Sequence, residues 1–120
     1  MTDTLNAHLG KIREGERVKF ADTMAIIEEH FIYTPVKFSN GLGDDLIENQ
    51  PGENQGSCKI FSLGRRLNLS QEMTLSLFGE LYWHDVQENP SGDDHPNIRS
   101  FMKYGWKGIS FEEKALRPRK

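Results

Sequence analysis

The stretch from Ser70 to Pro90 constrains this chain more than any other. Met73, Leu77, Phe78, Leu81 and Tyr82 recur at helical spacing and form one apolar stripe. A stripe of this kind is stable only when it is buried, so the rest of the chain must supply faces to cover it. Ser70 suits the N-cap, where its hydroxyl accepts a bond from a first-turn N–H. Gln71 and Glu72 follow, and negative charge there meets the positive end of the helix dipole. The spacing predicts one helix from Ser70 that ends by Asn89-Pro90.

Four more helices are predicted. Residues 4–14 place Leu5, Leu9 and Ile12 on one face with His8 beside them, after Asp3 or Thr4 as a cap and before Gly15 as a stop. Residues 17–31 place Phe20, Met24, Ile27 and Phe31 on one face, and Pro35 sets the limit. A further helix runs from near Ser57 to about Leu67. The last begins at Pro96, whose missing N–H would have no partner in a first turn, and carries Ile98, Phe101 and Met102 to a stop at Gly105.

Strand signals are short. Val36 and Phe38 alternate with Lys37 and Ser39; Ile109 and Phe111 alternate with Ser110 and Glu112. The two are expected to pair, because an isolated strand leaves its backbone groups unsatisfied. From Asn40 to Gln55 the residues are mainly Gly, Asp, Asn, Pro and Glu, which predicts a long surface loop with Leu46 and Ile47 as anchors. The fold class expected is mainly α, or α+β with minimal β: about five helices and one short two-stranded sheet, in a single domain over 1–120.

Composition narrows the function classes. With 120 residues, seven Phe, three Tyr and two Trp, the chain has the aromatic content of a folded domain. Its net charge of -3 gives no basic stripe for nucleic acid, and none is expected as a partner. The basic residues Lys114, Arg117, Arg119 and Lys120 gather at the end and read as a flexible, solvated tail over 112–120. One cysteine excludes an internal disulfide and a multi-thiolate zinc site, and suits a reducing cytoplasm. No apolar run is long enough to span a bilayer, so no membrane insertion is expected. Met1-Thr2-Asp3-Thr4 lacks the basic start and apolar core of a cleaved secretory signal.

Three constellations are candidates for chemistry. Cys58 falls in the first turn of a helix, where the dipole and Lys59 favour a thiolate; His84 and His95 are the available bases for an enzyme that uses it. The competing reading is a small buried side chain beside Phe61. Asn54-Gln55-Gly56-Ser57 and Lys59 also suit a phosphate or carboxylate held at that helix start, although the P-loop pattern is absent. The competing reading there is that Ser57 caps its own helix. Between His84 and His95 two His and three Asp occur, but the spacing matches no metal site; Asp94 or His95 is expected to cap the helix at Pro96, and no metal or other cofactor is assigned. Trp83 flanks the stripe as a rim or exposed contact residue.

Asn54-Gln55-Gly56-Ser57-Cys58-Lys59-Ile60-Phe61, Thr74-Leu75-Ser76-Leu77-Phe78-Gly79 and the run from His95 to Trp106 together resemble the HopJ family of type III effectors. Phe20-Ala21-Asp22-Thr23-Met24-Ala25-Ile26-Ile27 and Phe38-Ser39-Asn40-Gly41 fit it too, and the resemblance covers about residues 18–111. It implies a bacterial cytoplasmic protein delivered to host cells by type III secretion, with a role in virulence. It brings no catalytic residue with it.

Residues and resemblance together predict a protein that acts by binding a protein partner or a small anion. The expected contact surface joins the loops 40–57 and 89–95, with Asn40, Asn54, Gln55, Gly56, Ser57, Lys59, Asp94, His95, Asn97 and Arg99 as its residues. The alternatives are a cysteine-dependent enzyme built on Cys58 and an anion-binding housekeeping domain.

Overall fold

A computed structural model describes residues 3–119. Met1, Thr2 and Lys120, read above with the two termini, lie outside the described residues. The protein is α+β and mainly helical. Its helices are α1 (Asp3–Arg13), α2 (Phe20–His30), α3 (Gln55–Leu67), α4 (Gln71–Ser76) and α5 (Pro96–Tyr104). Five short strands are β1 (Phe31–Tyr33), β2 (Phe38–Asn40), β3 (Ile47–Asn49), β4 (Ser110–Phe111) and β5 (Leu116–Pro118).

Phe61 stands at the centre of the core. Its ring lies 4.8 Å from that of Phe101, 5.5 Å from Phe78 and 6.0 Å from Phe38. Those rings come from α5, from the turn after α4 and from β2, so one side chain of α3 ties three parts of the chain together. Offset and edge-on aromatic pairs add to the gain from area burial alone. Ile27, Ile60, Leu63, Leu77, Val86 and Ile98 complete the buried centre.

The stripe from Met73 to Tyr82 is used as expected, but not by one helix. Ser70 caps α4, accepting from the Met73 N–H at 3.1 Å, and α4 then ends at Ser76. Gly79 has φ +62°, and a Cβ there would meet the Phe20 nitrogen at 2.4 Å and the Val18 carbonyl oxygen at 2.8 Å. Only glycine fits this close approach of two backbones. The chain resumes as a π-helical stretch over Leu81–Val86, in which the Gln87 N–H donates to the Tyr82 carbonyl at 2.9 Å. The expected single helix is thus two, hinged where α2 passes.

The strand expectation holds in its pairing and falls short in extent. β2 and β4 pair antiparallel with Phe38 opposite Phe111, and those two rings stack at 5.5 Å. β3 joins β2 on its other side, with Phe38 opposite Asn49 and Asn40 opposite Ile47. The predicted loop from Asn40 to Gln55 therefore contains a hairpin strand and a 3-10 turn over Gly43–Asp45. Leu46, expected as an anchor, is exposed, whereas Ile47 is half-buried.

The expectation of a solvated basic tail is corrected. β5 pairs antiparallel with β1, with Tyr33 opposite Leu116 and Phe31 opposite Pro118. The Arg119 Nε donates to the Glu28 carbonyl at 2.7 Å. Ala115 and Leu116 are buried, and their burial is the driving force that the basic residues around them conceal.

Candidate functional site

Helices α3 and α5 begin side by side, and both are entered through a left-handed residue. Asn54 has φ 51° and His95 has φ 48°. Asn and His tolerate that region better than most residues, which suits them to the position. Each is the N-cap of its helix, and neither uses its side chain to cap it. The Asn54 amide nitrogen donates to the Asn49 Oδ1 at 2.7 Å; the His95 Nε2 lies 2.9 Å from the Asp85 Oδ2. His95 thus stands at the N-cap of α5, as one expected alternative had it, but through its backbone alone; Asp94 is not the cap there, and Ser57, the competing reading, does not cap α3.

Asn54 belongs to a buried asparagine network. The Asn97 Nδ2 donates to the Asn49 Oδ1 at 3.0 Å, and the Asn40 Nδ2 donates to the Asn97 carbonyl at 2.8 Å and to its Oδ1 at 3.0 Å. The Asn49 Nδ2 reaches the same Asn97 Oδ1 at 3.3 Å. Asn40, Asn49 and Asn97 are essentially inaccessible, so Asn40 sits beneath the expected contact surface, while Asn97, though buried, reaches the wall of the cleft described below. The network fastens β2, β3 and α5 to one another. The sequence reading missed Asn49, because an asparagine in a polar stretch looks like any loop residue.

A charged cluster lies beside it at the surface. Asp85 accepts from two rings, His84 Nδ1 at 3.0 Å and His95 Nε2 at 2.9 Å. His84 is held above the ordinary histidine range, by Asp85 first and then by Glu88. Asp85 is held below the ordinary carboxylate range, by His84 first and then His95. The Arg99 Nη2 donates to the Asp94 Oδ1 at 2.5 Å and its Nη1 to the Pro90 carbonyl at 3.2 Å, so Arg99 ties the 90–94 loop to α5. Asp85 and His95, which their spacing in the sequence held apart, are thus brought together. Among the described residues, one ligand atom each from Asp85, Asp94 and His95 lies within 4.8 Å of the others, close enough to share a metal ion. Two of the three are already engaged elsewhere, Asp94 with Arg99 and Asp85 with His84.

Between the two helix starts is a cleft of about 170 Å³. Asn54, Gly56, Ser57, His95 and Asn97 line it, over a floor that includes Phe20, Phe78 and Ile98. Gly56 is packed tightly, since a Cβ there would meet the Phe20 ring at 2.7 Å. The two loops named from sequence therefore do converge on one concavity. Gln55 is exposed in the first turn of α3. Lys59 is turned aside, with its Nζ 4.8 Å from the Tyr33 ring centre.

Cys58 also faces away from the cleft, against Tyr33, Val36 and Ser62. It is 1% exposed, and burial pushes its thiol up, against smaller lowering effects from Tyr33, the Val36 backbone and Ser62. The hydroxyls of Tyr33 and Ser62 have no partner at hydrogen-bonding geometry, so they neighbour the sulfur without fixing it. Tyr33 is itself pushed up to about 12, by burial first and then by Cys58. No imidazole is among the groups that act on the thiol; His84 and His95 both serve Asp85. The nucleophile reading lacks the base it requires. Trp83, half-buried, carries the Arg17 guanidinium 4.5 Å above its ring, which makes it a rim residue.

Fold and site together define a small, mainly helical α+β domain whose polar residues meet at two helix starts. The chain matches the family described as HopJ type III effector protein over residues 5–116, and it belongs to that family. It is also similar to the crystal structure of the unknown function protein VPA0580, with a TM-score of 0.88 and 40% identity, over 99% of this chain and 94% of that one. None of the curated proteins matches it. Among the described residues, no helix is long and apolar enough to cross a membrane.

Proposed function

We propose that the protein acts as a binding domain, and that the cleft between the starts of α3 and α5 takes an anionic group, a carboxylate or phosphate, carried by its partner. One observation carries this reading: both N-cap side chains, Asn54 and His95, are engaged away from their own helices. The first-turn N–H groups are left without side-chain caps, and two positive dipole ends converge on the cleft. Asn54, Gly56, Ser57, His95 and Asn97 form or support the site; Gln55, Asp94 and Arg99 border it. Family membership supports delivery to a host cell and a part in virulence as the setting of this binding.

The test is a phosphate titration followed by amide NMR. The amides of Ser57 and Ile98 are expected to shift, and to stop shifting in a Gln55→Glu/Pro96→Glu variant. That variant places a carboxylate in each first turn, where it suits the dipole and leaves the fold intact. Shifts that persist unchanged in the variant, or no shifts at all in the natural chain, would overturn the reading.

A further inference from the structure

Helix α3 has a second concavity at its other end. A groove of about 520 Å³ runs between the last turns of α3 and the segment joining β4 to β5. This volume lies in the range of small-molecule sites, and it is three times that of the cleft at the helix starts. Its apolar lining comes from Leu67, Phe111, Ala115 and Leu116. Ser62 also lines it; this residue is nine-tenths buried, and its hydroxyl has no hydrogen-bond partner. That hydroxyl neighbours the Cys58 sulfur in the wall of the groove, so the polar character of the groove comes from its rim.

The charges around the groove are one-sided. Arg65, Arg66 and Lys114 face a single carboxylate, Glu113. Arg65 is fixed in place: its Nη2 donates to the Ile109 carbonyl at 3.1 Å, and its guanidinium lies 5.1 Å from the Trp106 ring centre. The Arg66 guanidinium stands 5.5 Å from the Phe31 ring centre. Among the described residues, neither Arg66 nor Lys114 is in an ion pair. An apolar trough under unpaired cations fits a ligand with an apolar body and one anionic end.

We propose that this groove binds a small amphipathic acid, an acyl or aryl carboxylate, with its apolar body along Leu67, Phe111 and Leu116 and its carboxylate between Arg66 and Lys114. The site is separate from the cleft at the helix starts and does not depend on the function proposed for it. It also accounts for the tail: pairing β5 with β1 brings Lys114, Ala115 and Leu116 against α3, so the same ordering that buries Leu116 completes the groove.

The test is calorimetric titration of the full chain with octanoate, 1-octanol and acetate. Octanoate is expected to bind at least tenfold more tightly than either of the others, because only octanoate has both the apolar body and the charge. An Arg66→Gln/Lys114→Gln variant is expected to lose tenfold or more in octanoate affinity, falling to the level of octanol. Both side chains are at the surface rim, and a Gln55→Glu/Pro96→Glu variant serves as the control that leaves octanoate binding unchanged. Octanol binding as tightly as octanoate, octanoate affinity unchanged in the Arg66/Lys114 variant, or no octanoate binding at millimolar concentration would each overturn the proposal.

Discussion

Two clusters hold the start of α5, and they are built on opposite principles. The asparagine network of Asn40, Asn49 and Asn97 is neutral and buried; the cluster of His84, Asp85, Asp94, His95 and Arg99 is charged and borders solvent, with His84 and Asp94 exposed and the other three half-buried. Asn97 and His95 are two residues apart, so the same few ångströms of backbone are fixed from inside and from outside. Inside, each amide that loses its partner is left in a place that water does not reach, and the cost of that orphan exceeds the worth of the bond. Outside, water and salt replace a lost partner, and an ion pair contributes little. The inner cluster should decide whether α5 is in place, and the outer one how its loop is arranged.

The largest effect is expected inside. Asn97→Leu removes the Oδ1 acceptor that Asn40 and Asn49 share and the Nδ2 donor to the Asn49 Oδ1, while the Asn97 and Phe38 carbonyls stay available to the two amides. The loss of stability should be about 2 kcal/mol, from three hydrogen bonds removed where water cannot replace them. Urea denaturation gives the loss directly, and Cys58 reports it independently. The thiol is 1% exposed, so iodoacetamide reaches it only through opening. Alkylation of the natural chain should be slow until it unfolds, and should become more than tenfold faster in Asn97→Leu. A variant within about 0.5 kcal/mol of the natural chain would show that the network is packing and not a hydrogen-bonded clamp.

Next comes the least exposed member of the outer cluster. Arg99 is 17% exposed at its side chain, and three of its N–H groups serve Asp94 and Pro90. Arg99→Gln should cost about 1 kcal/mol, because water reaches part of the site and repairs part of the loss. The change should be local: faster amide exchange over residues 90–94, with the exchange of α3 unaltered. Exchange that rises throughout the molecule would erase the distinction between an inner clamp and an outer latch.

How much of this was legible in the sequence follows the range of the interactions involved. The core faces of α1, α2 and α5 were readable because a helix repeats its burial every three or four residues, as in Leu5 and Leu9 or Ile98 and Phe101. The pairing of Phe38 with Phe111 was readable because only two segments alternated visibly. Gly79 was not readable as a break, because the reason for it is the backbone of Phe20, about sixty residues earlier, while the apolar period runs on across it. Leu116 looked like part of a basic tail because a three-residue strand has no signal apart from its partner, β1. Asn54, Gly56, Ser57, His95 and Asn97 were legible as helix starts rich in polar residues. That Asn49 would join them, and that Asp85 would meet His95, depended on contacts across the fold that no local spacing records.

The smallest effect is expected in the outermost pair, and its signature is its dependence on pH. Asp85 is lowered by His84 and His95, so its contribution to stability is full above its unfolded pKa of about 4 and is lost as pH falls through its folded value. His84 is raised by Asp85, so its contribution is full below its unfolded pKa of about 6.5 and is lost as pH rises through its folded value. The pair therefore stabilises the protein most between about pH 4 and 6.5. Asp85→Asn keeps the shape and removes the charge. The difference in urea midpoint between it and the natural chain should peak inside that window and narrow on both sides. Added salt at 1 M should shrink the difference, because both groups are open to solvent. The same salt should leave the loss in Asn97→Leu unchanged, since no charge is involved there. A difference for Asp85→Asn that is flat with pH and indifferent to salt would mean that Asp85 acts by shape, through its bond to the His95 ring, and the outer cluster would then belong with the inner one.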